Sequence, residues 1–115
     1  MTDVLDPFRL DGKVAVLTGA GSGIGKATAE LFASVGASLI LGDIDEVAVT
    51  ATADAITAAG GDAVALRCDI TQKADNEALV GRAVADHGRL DVMGNIAGVP
   101  HNRMIADVTE EELDR

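Results

Sequence analysis

Thr18-Gly19-Ala20-Gly21-Ser22-Gly23-Ile24-Gly25 stands between an apolar run, Lys13 to Leu17, and a helix-like pattern from Ile24 to Val35. Glycines in such a turn let the backbone come close to a ligand. The helix that follows offers unpaired N–H groups and the positive end of its dipole. A strand, a glycine turn and a helix in that order predict a place to hold a phosphate.

Outward from that turn the chain alternates between two periodicities. Residues 13–18 read as a buried first strand and residues 24–35 as a helix. Ile24, Ala27, Leu31, Phe32 and Val35 share one helical face, and Gly36 ends the helix. Residues 37–42 form a second strand, 45–59 an Ala-rich helix closed by Gly60-Gly61, and 63–68 a third strand. Thr71 reads as the N-cap of a helix over 72–87, with Leu79, Val80, Ala83 and Val84 as its apolar side and Gly88 as its stop. Residues 90–96 form a fourth strand. Strands separated by helices of ten or more residues pair in parallel through right-handed crossovers, and their near-continuous apolar character suits a sheet covered on both faces. Near the end, Thr109-Glu110-Glu111-Glu112 is a capping box that opens a further helix.

Composition narrows the classes. The 115 residues suit one domain, and with 48% apolar residues the chain is not disordered. Phe8 and Phe32 are its only aromatics, so the core must be Val, Leu, Ile and Ala. A net charge of −10 disfavours nucleic acid and anionic membranes, which call for clustered Lys or Arg. The single cysteine, Cys68, excludes an internal disulfide, fits a reducing compartment and reads as a buried, inert thiol. No apolar run reaches the roughly 18 residues of a membrane span. Met1 to Leu10 carries Asp3, Asp6 and Pro7 and lacks the apolar stretch of a signal peptide. The expectation is a soluble, cytoplasmic protein.

The dinucleotide pattern G-x-G-x-x-G does not fit from Gly19, because position 24 is Ile. Thr-Gly-x-x-x-Gly-x-Gly does fit, and it resembles the cofactor turn of the short-chain dehydrogenase/reductase family. Asp43, 18 residues after Gly25, ends the second strand. A carboxylate there accepts hydrogen bonds from the ribose hydroxyls of an adenosine and repels a 2′-phosphate. No Arg sits at Ser22 or just after Asp43, so NAD is expected rather than NADP. The other reading of Asp43 is a cap for the next helix, a role Asp45 can fill. Asp69 is open between capping the helix near Thr71 and, as the resemblance implies, lying by the adenine amino group with Ile70 packed on the ring. Asn95-Ile96-Ala97-Gly98 resembles the family's Asn-Asn-Ala-Gly, with Ile96 in place of the second Asn. The resemblance implies that Asn95 braces the sheet and that the small residues leave room for the cofactor's ribose. Gly94 is a second departure and is expected to weaken its strand.

The resemblance covers essentially the whole chain, from the lead-in Phe8 to Lys13 to the final stretch Val108 to Arg115. It implies an α/β fold, a Rossmann-type doubly wound parallel sheet of order 3-2-1-4, as a single dinucleotide-binding unit over residues 1–115. It assigns cofactor contacts to Gly19, Ser22, Gly23, Ile24, Gly25, Asp43, Asp69, Ile70, Asn95, Ala97 and Gly98. The family's reaction is hydride transfer between a nicotinamide dinucleotide and a small-molecule secondary alcohol or ketone. It relies on a Tyr, a Lys four residues later and a Ser, all in the later half of the fold. The chain has no Tyr, so it is expected to carry no catalytic residue and to be inactive alone. Lys13, Lys26 and Lys73 read as solvated charges, and His87 as a partner of its helix's C-terminal dipole. His101, Asn102 and Arg103 lie in a loop beside the expected cleft. His and Cys spacings suggest no metal site. The expectation is the N-terminal, cofactor-binding part of such an enzyme. The alternatives are a non-catalytic nucleotide-binding module, or a half completed by another chain. The sequence leaves homo-oligomerisation open.

Overall fold

Three of the four strands described are rich in Val, Leu, Ile or Ala, and the helices cover the sheet mainly with small and aliphatic side chains. The structure is a computed structural model and describes residues 9–96. Its elements are β1 (Val14–Thr18), α1 (Gly23–Ser34), β2 (Ser38–Asp43), α2 (Glu46–Ala58), β3 (Asp62–Arg67), α3 (Lys73–His87) and β4 (Val92–Asn95). The strands form one four-stranded sheet of order β3-β2-β1-β4, every pair parallel. The expected order 3-2-1-4 is therefore the observed one, with strand ends shifted by a residue or two.

Side chains alternate across the sheet, so each strand feeds two cores. Ala15, Leu17, Leu39 and Leu41 point to one face and pack with Ala29 of α1 and Val49, Ala53 and Ile56 of α2. Val14, Val16 and Ile40 point to the other and pack with Leu79 and Ala83 of α3 and with Cys68. β1 is buried along its whole length, because it has a strand on either side and helices on both faces. Gly42 of β2 faces α3: a Cβ there would lie 2.8 Å from Leu79 Cδ1 and 3.1 Å from Cys68 Cβ. Close seating of α3 requires that glycine.

Three sequence expectations need correction. First, α1 does not turn the Ile24–Ala27–Leu31 stripe inward: Ile24 is 77% and Leu31 61% exposed. Gly25 and Ala29 are its buried residues, with Phe32 and Ala33 packed behind them. The helix approaches the sheet along its smallest side chains, which permit the closest contact. Second, Thr71 does not cap α3. Its hydroxyl donates to Asp69 Oδ1 at 2.6 Å, Gln72 takes the N-cap position without a side-chain bond, and α3 starts one residue later than expected. Third, Val84 is exposed rather than part of the apolar side of α3. Gly94 of β4 lies against β1: a Cβ there would lie 2.7 Å from Leu17 Cδ2, its neighbour in register.

The ends of the elements are held by specific bonds. Asp45 Oδ1 accepts the Ala48 N–H at 3.0 Å and so caps α2. Gly88, at φ +74°, closes α3 by donating its N–H to the Val84 carbonyl, next to His87 in the last turn. Asp91 anchors the start of β4 to β1: its N–H donates to the Val14 carbonyl at 2.9 Å, and its Oδ2 accepts the Val14 N–H at 2.8 Å. Arg89 grips both oxygens of the same carboxylate. That grip, aided by the Val14 N–H, holds the Asp91 carboxyl below the usual carboxylate range.

Leu79→Ala is expected to lose about 2–5 kcal/mol in urea unfolding, because it opens a cavity under the sheet. Val47→Ala, at a position 81% exposed, should stay within about 0.5 kcal/mol of the parent. The lowered Asp91 value fixes a sign for acid: its stabilisation is complete above about pH 4 and fades as pH drops through the depressed folded-state value. Asp91→Asn should therefore show a shallower fall of Tm between about pH 5 and about pH 2 than the parent.

Candidate functional site

The site lies at the carboxyl end of the sheet, where β1 hands over to α1 through the glycine turn. Thr18 ends β1, and Gly19 turns the chain with φ +72°. The Ala20 N–H then donates to the Gly42 carbonyl at 3.2 Å, pinning the turn to β2. Gly25 comes back over Gly19 so closely that a Cβ would run into the Gly19 carbonyl. Gly23 is different: it has φ +58° and open space around it, so conformation rather than room selects glycine there. The result is a helix whose N-terminus points over the end of the sheet.

That N-terminus is uncapped. Ser22 occupies the N-cap position with extended backbone, makes no side-chain cap, and no acidic residue sits in the first turn. The first-turn N–H groups have no intrahelical acceptors, and the dipole adds partial positive charge. An anion suits this place.

Asp43 ends β2 across from the turn. Its Oδ2 accepts the Gly21 N–H at 2.9 Å and its Oδ1 accepts the Asp45 N–H at 3.0 Å. Each oxygen retains a lone pair for a further donor. Asp43 does not cap α2, since Asp45 does that. Asp69 follows β3 and caps no helix. Its Oδ1 takes both the hydroxyl and the N–H of Thr71, and those bonds, the hydroxyl's first, hold the Asp69 carboxyl below its ordinary value. The Asp69 N–H is taken in turn by Asp75 Oδ2 in the first turn of α3.

Between these groups runs a cleft of about 550 Å³. Gly19, Ser22, Ile24 and Gly25 form its turn side, Asp43 and Asp69 its acidic side, and Ile70 an apolar wall. Seven residues singled out in the sequence thus converge on one space. Gly23 is not among the lining residues, and Asn95 turns to the sheet, where its Oδ1 accepts the Thr18 hydroxyl at 2.7 Å. Ala97 and Gly98 lie outside the described residues, as do His101, Asn102, Arg103 and the Thr109–Glu112 box. Ile44, Cys68, Thr71 and Ile96 also line the cleft. Sequence reasoning gave them no binding role, although Ile44 directly follows Asp43 and Ile96 stands in the Asn-Ile-Ala-Gly segment. Cys68 is 1% exposed and free, and burial, reinforced by the nearby Asp75 and Asp69 charges, pushes its thiol pKa up. It forms floor, not a nucleophile.

Among the described residues no Lys or Arg lines the cleft. Arg67 sits in register with Asp43 on the adjacent strand, yet is not a lining residue. Among the described residues no three His, Cys, Asp or Glu side chains are grouped to hold a metal ion, and no helix is long and apolar enough to cross a membrane.

Gly23→Ala should cost about 1 kcal/mol through backbone strain alone, and Gly23→Asn should recover most of it. Gly25→Ala must move the Gly19 carbonyl and should cost about 3 kcal/mol. Urea unfolding of the three variants checks the order.

The comparisons with known proteins fit this geometry. The family model described as short chain dehydrogenase matches residues 13–115. The chain is 46% identical over 93 residues to the 7alpha-hydroxysteroid dehydrogenase of Escherichia coli, covering 81% of this chain and 36% of that protein. A short chain dehydrogenase/reductase from Burkholderia phymatum, solved in complex with NAD, superposes with a TM-score of 0.72 at 44% identity, over 75% of this chain and 31% of that one. A 7 alpha-hydroxysteroid dehydrogenase solved with NADH and 7-oxo glycochenodeoxycholic acid superposes with a TM-score of 0.75 at 40% identity, over 93% of this chain and 43% of that one. The chain thus spans less than half the length of these relatives.

Proposed function

The chain belongs to the short-chain dehydrogenase family, and we propose that it binds NAD in the cleft at the carboxyl ends of β1, β2 and β3. The observation that carries this reading is the pairing of an uncapped helix N-terminus with a clamped carboxylate on opposite sides of one cleft. The N–H groups at the start of α1 receive the diphosphate. Asp43 accepts the adenosine ribose hydroxyls with its remaining lone pairs. Asp69 and Ile70 take the adenine, and Ile44 adds apolar surface beside them. Two carboxylates, with no Lys or Arg among the described lining residues, set a repulsive field against a 2′-phosphate, which favours NAD over NADP. Asn95, bonded to Thr18, keeps the ends of β1 and β4 in register beneath the dinucleotide. Gly23, Ala97 and Gly98 complete the proposed set of contacts.

A bound nicotinamide dinucleotide would supply the hydride donor or acceptor of the family's reaction. In the whole family reaction the substrate is a secondary alcohol or ketone. The part proposed for the residues named here is to hold and orient the dinucleotide.

Calorimetric titration tests the reading. NAD should bind at least about tenfold more tightly than NADP, and Asp43→Ala should weaken NAD by about tenfold or more and erase the preference. Equal affinity of the parent and of Asp43→Ala for NAD would remove the role given to the carboxylate.

A further inference from the structure

We propose that Gly21, a position the sequence pattern leaves free, is the positioning residue for the Asp43 carboxylate and thereby sets discrimination at the ribose 2′ position. The inference rests on the NAD reading above and deepens it.

Three observations converge. The Gly21 N–H donates to Asp43 Oδ2 at 2.9 Å, while the Asp45 N–H donates to Asp43 Oδ1 at 3.0 Å. Two donors on different segments, one on each oxygen, fix the plane of the carboxylate. Second, Gly21 has no room for a side chain. A Cβ there would lie 2.8 Å from Asp43 Oδ2, 2.9 Å from Ala48 Cβ and 3.1 Å from the Val49 nitrogen. Any other residue must displace either the carboxylate or the first turn of α2, and the exposed side of the carboxylate gives way more easily than a helix turn. Third, the clamp is anchored. Asp45, which donates to Asp43, caps α2 through the Ala48 N–H, so the orientation of the carboxylate is tied to a rigid element.

The other glycines of the turn do not do this. Gly23 has open space, and Gly25 presses on the Gly19 carbonyl. Of these three, only Gly21 faces Asp43. A carboxylate held in this plane presents one free lone pair per oxygen, matching a pair of neighbouring hydroxyls. Turned away, it loses that match, and its charge no longer lies against the 2′ position.

A double-mutant cycle on the 115-residue chain tests this, with NAD and NADP titrated into the parent, Gly21→Ala, Asp43→Ala and the double variant. Gly21→Ala should weaken NAD by about fivefold or more while NADP changes by less than about twofold. In the Asp43→Ala background, Gly21→Ala should change NAD affinity by less than about twofold, because its effect runs through the carboxylate. Loss of NAD affinity by the same factor in both backgrounds would overturn the proposal, since the added methyl would then be hindering the dinucleotide directly. A parent that prefers NADP, or binds neither dinucleotide, overturns the NAD reading and this inference together. A parent that prefers NAD, with additive variants, overturns this inference alone. A ligand-free measurement covers the case in which Gly21→Ala does not fold. In the parent, the amides of Gly21 and Asp45 should both be protected from hydrogen exchange, and Asp43→Ala should remove the protection from both. Protection of either amide that survives Asp43→Ala would equally refute the clamp.

Discussion

Gly25 rests against the carbonyl of Gly19, with no space for even a methyl group between them. That contact decides where α1 begins and where it points. A helix that starts directly above the end of β1 must send its first-turn N–H groups over the carboxyl end of the sheet, because the chain has only the residues of the turn in which to reverse. The rest of the site is built around this direction. β2 ends beside the turn, so its last residue faces the helix N-terminus, and β3 ends one strand further out, so Asp69 and Ile70 extend the same cleft.

Parallel pairing makes this convergence unavoidable. All four strands run the same way, so their carboxyl ends lie along one edge of the sheet, and every following loop opens on that edge. The crevice forms where β2 and β4 lie on opposite sides of β1. Asp91 at the start of β4 and Asn95 at its end tie that strand to β1. The two ties matter because β4 pairs only with β1 among the described residues and has less burial than the inner strands.

The acidity of the chain has a local use as well as a global one. Acidic side chains act here as acceptors for backbone N–H groups: Asp45 caps α2, Asp75 receives the Asp69 N–H, Asp91 receives Val14, and Asp43 receives two amides. Each satisfies a donor left over where a regular element ends. In the cleft the same chemistry places the carboxylates of Asp43 and Asp69 among the lining groups, each already accepting N–H or O–H donors from the chain.

The order of elements, the parallel sheet, the glycine turn and the acid at the end of the second strand were all legible in the sequence. They rest on period, on glycine placement and on spacing, which are local. The stop at Gly88 was legible for the same reason, since a left-handed residue closing a helix is a local demand. What the sequence could not state was which of several locally equivalent choices the packed structure selects. Apolar periodicity put Ile24 and Leu31 inside, but the sheet accepts α1 along Gly25 and Ala29, because close packing favours the smallest side chains. Thr71 suited a cap, but Asp69 lay two residues away and took its hydroxyl. Gly21 was silent in the pattern, and only the folding of β2 and α2 against the turn gave it a carboxylate to hold and no room for a side chain. Local chemistry determined the elements and the candidate ligands. Contacts between segments distant in the chain decided their faces, their bonds and their orientation, because those depend on distances that no single stretch of sequence contains.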